Sequence, residues 1–188
     1  MIYKKLDLAL DTDTKDFANF LSNSNFLLDL VVMLPGILLG KNLSSYSADE
    51  IESVMNINFN KQALLLKYIN PYFAEKSQVI MMSSISAERG SFDPIYAASK
   101  GAMISFIKSL STWLAPKTRF NAIAPGLIEN STMFLDMAEE RREFHKNATP
   151  TKSLVNSVEI AKVIYDLSKP HWSSLNGVVL RLNGGSYV

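Results

Sequence analysis

Tyr96 and Lys100 stand four residues apart in Tyr96-Ala97-Ala98-Ser99-Lys100, a spacing that puts both side chains on one face of a helix. An ammonium beside a phenol favours the phenolate and should lower the tyrosine's pKa, giving a usable proton donor or acceptor near neutrality. Ordinary helices also carry such pairs, so this one gains its meaning from its company. Twelve residues before Tyr96, Ser84 follows Ser83 at the end of an apolar run. A hydroxyl at the carboxyl end of a strand faces the crevice in which open α/β sheets bind ligands. Asn58 sits upstream in Met55-Asn56-Ile57-Asn58, and Asn121-Ala122-Ile123-Ala124-Pro125-Gly126-Leu127-Ile128 ends a later apolar run in a turn. The chain closes with Asn183-Gly184-Gly185 shortly before its last residues.

The elements that must position these residues are marked by periodicity. Apolar runs at 28–34, 78–82, 119–123 and 178–182, bounded by Gly, Pro, Ser or Asn, predict strands. Near-continuous apolar content within them predicts burial on both faces, as in a parallel sheet covered by helices on either side. A helical period marks 14–21, 48–73, 95–114 and 157–167, and an Asp or Thr within 11–14 is the expected cap of the first. The charged, Met-containing stretch 129–156, punctuated by Pro150, reads as a partly helical substrate lid over the edge of the sheet.

Bulk composition narrows the classes. The chain has 188 residues and is 47% apolar, enough for one domain with a sizeable core. Its 19 basic and 18 acidic residues leave a net charge of +1, which offers no electrostatic footprint for nucleic acid or an anionic membrane. With no cysteine, disulfides and thiolate chemistry are excluded. His145 and His171 lack close ligand spacing, so no metal site is expected. The start of the chain turns polar before any apolar region develops. The most apolar stretch, 26–40, is interrupted by Asp29 and Pro35 and is too short to span a bilayer. A cytoplasmic protein is the expectation.

Taken in order, the strand ending in Ser83-Ser84, the Tyr96–Lys100 pair, the Asn121–Ile128 turn and the terminal Asn183-Gly184-Gly185 resemble the short-chain dehydrogenase/reductases, over about residues 6–185. The resemblance implies a Rossmann-like, doubly wound, mainly parallel sheet. It also implies NAD(P)-dependent reduction of a small-molecule carbonyl, or oxidation of an alcohol. Tyr96 is then the proton donor, and Lys100 lowers its pKa and holds the nicotinamide ribose. Ser84 hydrogen-bonds the substrate oxygen, with Ser83 as the alternative, and Asn58 supports a water chain leading to Lys100. Pro125, Gly126 and Ile128 line the nicotinamide pocket, Asp7 and Leu8 contact adenine, and Gly36 lies on the cofactor's floor. The resemblance further implies a homo-oligomer built on helices 48–73 and 95–114.

The chain also departs from the family pattern. The glycine-rich strand-turn-helix that cradles the pyrophosphate has no counterpart here, so the sheet is expected to be shortened, its first two strands absent. A single domain, 1–188, then divides into a remnant of the cofactor half (1–36), a catalytic core (37–128), the lid (129–156) and a C-terminal helix and strand (157–188). Met33-Leu34-Pro35-Gly36 replaces a polar Asn-Asn-Ala-Gly turn, and bulky Ile37, Leu38 and Leu39 bar the following segment from acting as a phosphate loop. The shortened sheet exposes one flank of strand 28–34, which residues 2–9 are expected to cover by pairing as a strand. A second reading remains beside the enzyme: a catalytically silent scaffold that has lost its cofactor.

Overall fold

The computed structural model describes residues 2–188; Met1 lies outside them. Four parallel strands form one sheet in the order β1-β2-β3-β4: β1 Leu28–Met33, β2 Phe73–Met82, β3 Thr118–Pro125 and β4 Val179–Leu182. Val31 pairs with Val79, Val79 with Phe120, and Ala122 with Val179. Along β2, successive side chains enter opposite layers. Val79 and Met81 join Met33, Leu66, Ile69, Met103, Ile107 and Phe120 on one face, whereas Ile80 joins Ile123, Val155, Ile160 and Leu167 on the other. A side-chain period of two thus turns an unbroken apolar run into two cores, one on each face of the sheet.

The larger core is covered by α1 (Asp11–Ser24), α3 (Lys61–Ile69) and α5 (Pro94–Trp113), the smaller by α8 (Ser157–Leu167). The expected helix 48–73 is segmented. α2 (Ala48–Met55) opens on a capping box between Ser47 and Glu50, and a π-turn, Asn56–Asn60, separates it from α3. Pro71 then sits in a 3-10 turn and Phe73 already belongs to β2, because proline cannot continue a helix. The first helix begins at Asp11 with Leu10 at its cap position and no side-chain cap. The carboxylate of Asp13, one of the expected capping residues, instead accepts from the Asp7 backbone N–H at 2.8 Å. Three further α-helices are described: α4 (Ser86–Arg89), α6 (Thr132–Leu135) and α7 (Glu139–Ala148).

The expectation that residues 2–9 pair with β1 is overturned. Among the described residues β1 pairs only with β2 and stands at the sheet edge, and residues 2–9 form no strand. A turn closed by Leu10 N–H to Asp7 O, together with the Asp7–Asp13 contact, commits this segment to enter α1 directly. Leu8 is buried in the larger core, with Leu6 packed against it; two leucines gain more there than on a half-exposed strand edge. Among the described residues no helix is long and apolar enough to cross a membrane.

Candidate active site

β2 and β3 both end at the same side of the molecule, and the residues just past each strand form the floor of a cavity of about 710 Å³. Ser83 and Ser84 come after β2, and Pro125, Gly126 and Ile128 end β3 or come after it; all five line the cavity. Tyr96 and Lys100 reach it from the first two turns of α5, and Gly36 from the loop after β1. Residues placed far apart in the chain converge because every parallel strand delivers its carboxyl end to one side.

Asp93 fixes where α5 begins. Its carboxylate accepts from the Tyr96 backbone N–H at 2.9 Å as N-cap, and Pro94 occupies the first helical position, the favoured arrangement for a helix start. The same buried carboxylate accepts from the Tyr46 hydroxyl at 2.7 and 2.8 Å and from the Gly40 N–H at 3.0 Å. Tyr46 is accordingly held above the ordinary phenol range, by burial first and then by its bond to Asp93. Asp93 thus ties the post-β1 loop to the turn that carries Tyr96. Sequence reasoning missed it, although Asp-Pro ahead of a helical run was a usable signal.

Asn58 is fully buried inside the π-turn, a feature that swings one residue inward from an otherwise regular helix. Its side chain clamps Ile37 at both backbone groups, accepting from N–H at 2.7 Å and donating to C=O at 2.9 Å, and it donates to Ser99 Oγ at 3.0 Å. Gln62 adds a second strap, donating to Pro35 O and Asn58 O. Asn58 does not line the cavity; it holds the loop that does. At Gly36 an added Cβ would come within 3.0 Å of Lys100 Nζ and 3.6 Å of Asn58 Oδ1, so a side chain here would press on the lysine head.

The two serines divide their work. Ser83 Oγ donates to the Lys100 backbone carbonyl at 3.1 Å and is thereby committed to packing. Ser84 Oγ accepts from the Ser86 N–H at 3.1 Å, which leaves its proton to point toward Tyr96, whose phenolate form it favours. Lys100 Nζ donates to Met82 O at 2.9 Å and lies 5.9 Å from the centroid of the Tyr96 ring. Burial lowers the ammonium to about 8. Tyr96 is raised, principally by burial, with a smaller push from the Asp93 charge and an opposing pull from Ser84. The net shift of Tyr96 is therefore upward, against the lowering expected from Lys100: the ammonium donates to a carbonyl, and desolvation outweighs its pull on the phenol.

Asp7 and Leu8 do not join this group. Neither lines the cavity; Leu8 is buried core, and Asp7 caps its own turn by accepting from the Ala9 N–H. The adenine contact implied for them lies outside this cavity, because no strand carries them to the mouth of the sheet. Residues 129–156 do border the cavity, through Met133 and Met137 and one face of α7. Three cavity residues not foreseen from sequence are Arg89, Arg141 and His145.

Against known proteins, a family model described as Enoyl-(Acyl carrier protein) reductase matches residues 2–187. A glucose and ribitol dehydrogenase homologue of Arabidopsis thaliana is 30% identical over 185 residues, spanning 97% of this chain. The alignment covers 64% of that relative's own length. A 3-oxoacyl-acyl-carrier-protein reductase of Buchnera aphidicola is 28% identical over 188 residues, covering 98% of this chain and 76% of the relative. Among solved structures, a short-chain dehydrogenase/reductase (glucose/ribitol dehydrogenase) of Brucella melitensis superposes with a TM-score of 0.92 at 32% identity. The match covers 98% of this chain and 76% of that one.

Proposed function

The chain belongs to the short-chain dehydrogenase/reductase family, and on that premise we propose that it transfers hydride between NAD or NADP and a small carbonyl or alcohol, with Tyr96 moving the proton. The observation that carries this reading is the meeting of Ser84, Tyr96 and Lys100 in one cavity at the carboxyl ends of β2 and β3. The residues present fit a nicotinamide cofactor. Lys100 holds three donors against a single protein acceptor among the described residues. Gly36 and Gly126 each leave space that a side chain would fill, the latter against Asn183 at 3.3 Å. Lys100, Gly36, Pro125, Gly126 and Ile128 are the residues that would hold it, and when bound it supplies or accepts the hydride.

The chain's own groups would then divide the remaining work. The Ser84 hydroxyl, oriented by Ser86, donates to the substrate oxygen and holds the carbonyl toward the phenol. Tyr96 hands its proton to that oxygen during reduction and takes one back during oxidation. Because the phenol is held above its ordinary range, it stays protonated across neutrality, which suits the reductive direction. The Lys100 ammonium, close to the ring, stabilises phenolate whenever it forms. Association through helices 48–73 and 95–114 belongs to the same reading. Trp113, 72% exposed at the end of α5, supports it, and a monomer mass in sedimentation would remove it.

The test is a titration of the full chain with NADH and NADPH, read by melting temperature and by turnover of small ketones. A ligand that binds only the native state must raise apparent stability. One cofactor should do so, and Tyr96→Phe should abolish turnover while leaving that stabilisation largely intact. No thermal shift at millimolar concentrations of either cofactor would instead favour the silent scaffold.

A further inference from the structure

The outer half of the cavity carries charge that hydride transfer does not use. Arg89 ends α4 and Arg141 lies on α7, so the two guanidiniums reach the cavity from different elements. Both residues are exposed, whereas Lys100 is buried and Tyr96 partly so; the arginines therefore mark the mouth and the reacting pair the floor. On α7 the residues that line the cavity are Arg141, Phe144, His145 and Ala148, one helical stripe at i, i+3, i+4 and i+7. The carboxylates of the same helix, Glu139, Glu140 and Glu143, are not among the lining residues, and no Asp or Glu lines the cavity anywhere among the described residues.

Two other surface cations are paired with carboxylates, Lys41 with Glu50 and Arg181 with Glu88 at 2.6 Å. Neither Arg89 nor Arg141 has a carboxylate within ion-pair distance among the described residues. His145, which lines the same cavity, is lowered by burial and then by the charges of Arg141 and Arg89. Two positive charges lining one cavity that has no lining carboxylate favour an anion there. Met133, Met137, Phe144 and Leu154 give the wall an apolar lining.

We propose that this mouth is an oxyanion subsite, in which Arg89 and Arg141 hold a carboxylate or phosphate carried at one end of the substrate while its carbonyl reaches Ser84 and Tyr96. The substrate class is then an anionic ketone, aldehyde or alcohol with a short apolar linker, such as an oxo acid or a keto-phosphate. The assignment rests on the oxidoreductase reading for the role of the carbonyl, and on the cavity alone for the anion.

The experiment is NMR-detected binding to the full chain of two matched pairs: laevulinate with methyl laevulinate, and dihydroxyacetone phosphate with dihydroxyacetone. In at least one pair the anion should bind about tenfold or more tightly than its neutral partner, and the pair that shows the gap distinguishes carboxylate from phosphate. In R89Q/R141Q the gap should collapse while the neutral partner's binding, NADPH binding and the melting temperature stay unchanged. Equal binding within both pairs, absence of binding, or a gap that survives the double variant would overturn the proposal. So would a parallel loss of NADPH binding, which would reassign the guanidiniums to the cofactor. The readout needs no turnover. An intact gap without cofactor oxidation would leave the subsite standing and remove the oxidoreductase reading instead.

Discussion

At the scale of single residues, the behaviour of Lys100 and Tyr96 is set by how little water reaches them. The lysine's folded pKa, about 8, lies below its ordinary 10.5. Its contribution to stability is therefore fully present above pH 10.5 and is lost as the pH falls through 8. Compared with Lys100→Met, the wild type should gain on the order of 3 kcal/mol between pH 8 and 10.5. Urea unfolding at the two ends of that range measures it, and parallel curves for the two proteins would refute the burial account. Tyr96 is shifted the other way, so its proton stays bound past its ordinary range. Reduction should run at a level rate through the neutral range, whereas alcohol oxidation, which needs phenolate, should climb steadily with pH. Initial rates in both directions across a pH series decide this, and an oxidation rate already saturated at neutrality would contradict it.

At the scale of elements, the start of α5 and the π-turn before α3 do most to place the site. Asp93 caps one and anchors the loop after β1, so Asp93→Ala strips an N-cap and leaves the Tyr46 hydroxyl and Gly40 N–H without their acceptor. The expected loss is roughly 2–4 kcal/mol by chemical denaturation, with Asp93→Asn recovering part of it because the amide oxygen still accepts. Asn58→Leu should cost a comparable amount, roughly 2–4 kcal/mol, since both backbone groups of Ile37 lose their partner. Leucine keeps the helical period, so a variant as stable as wild type would show that the clamp contributes nothing. The limits of α8 were readable from its apolar stripe, and the structure adds the Asn156 side chain as its cap. The segmentation of 48–73 was not, because a π-turn keeps nearly the same apolar period while turning one residue inward.

At the scale of the whole molecule, β1 leaves one row of backbone groups unpaired along the edge of a parallel sheet, with Leu30 39% exposed. Apolar edges invite pairing with another chain, and a lysine there blunts it. Leu30→Lys should lower light scattering at high concentration while changing stability by less than about 0.5 kcal/mol. Unchanged scattering would mean that the edge is already protected. The expected cover, residues 2–9, lies elsewhere because Leu6 and Leu8 find the helical core first.

The sequence by itself determined that strands and helices alternate, that the central strands β2 and β3 are buried on both faces, and that Ser84, Tyr96 and Lys100 meet at one end of the sheet. Those conclusions rest on local pattern and spacing, which the backbone geometry of strands and helices enforces wherever the chain goes. The tertiary structure decided which serine keeps a free proton, the sign of the Tyr96 shift, the path of residues 2–9, and the placing of Arg89 and Arg141 at one cavity. Each depends on groups distant in the chain and on how much water packing leaves around them. Desolvation and through-space charge are properties of the packed interior and leave no mark on sequence periodicity.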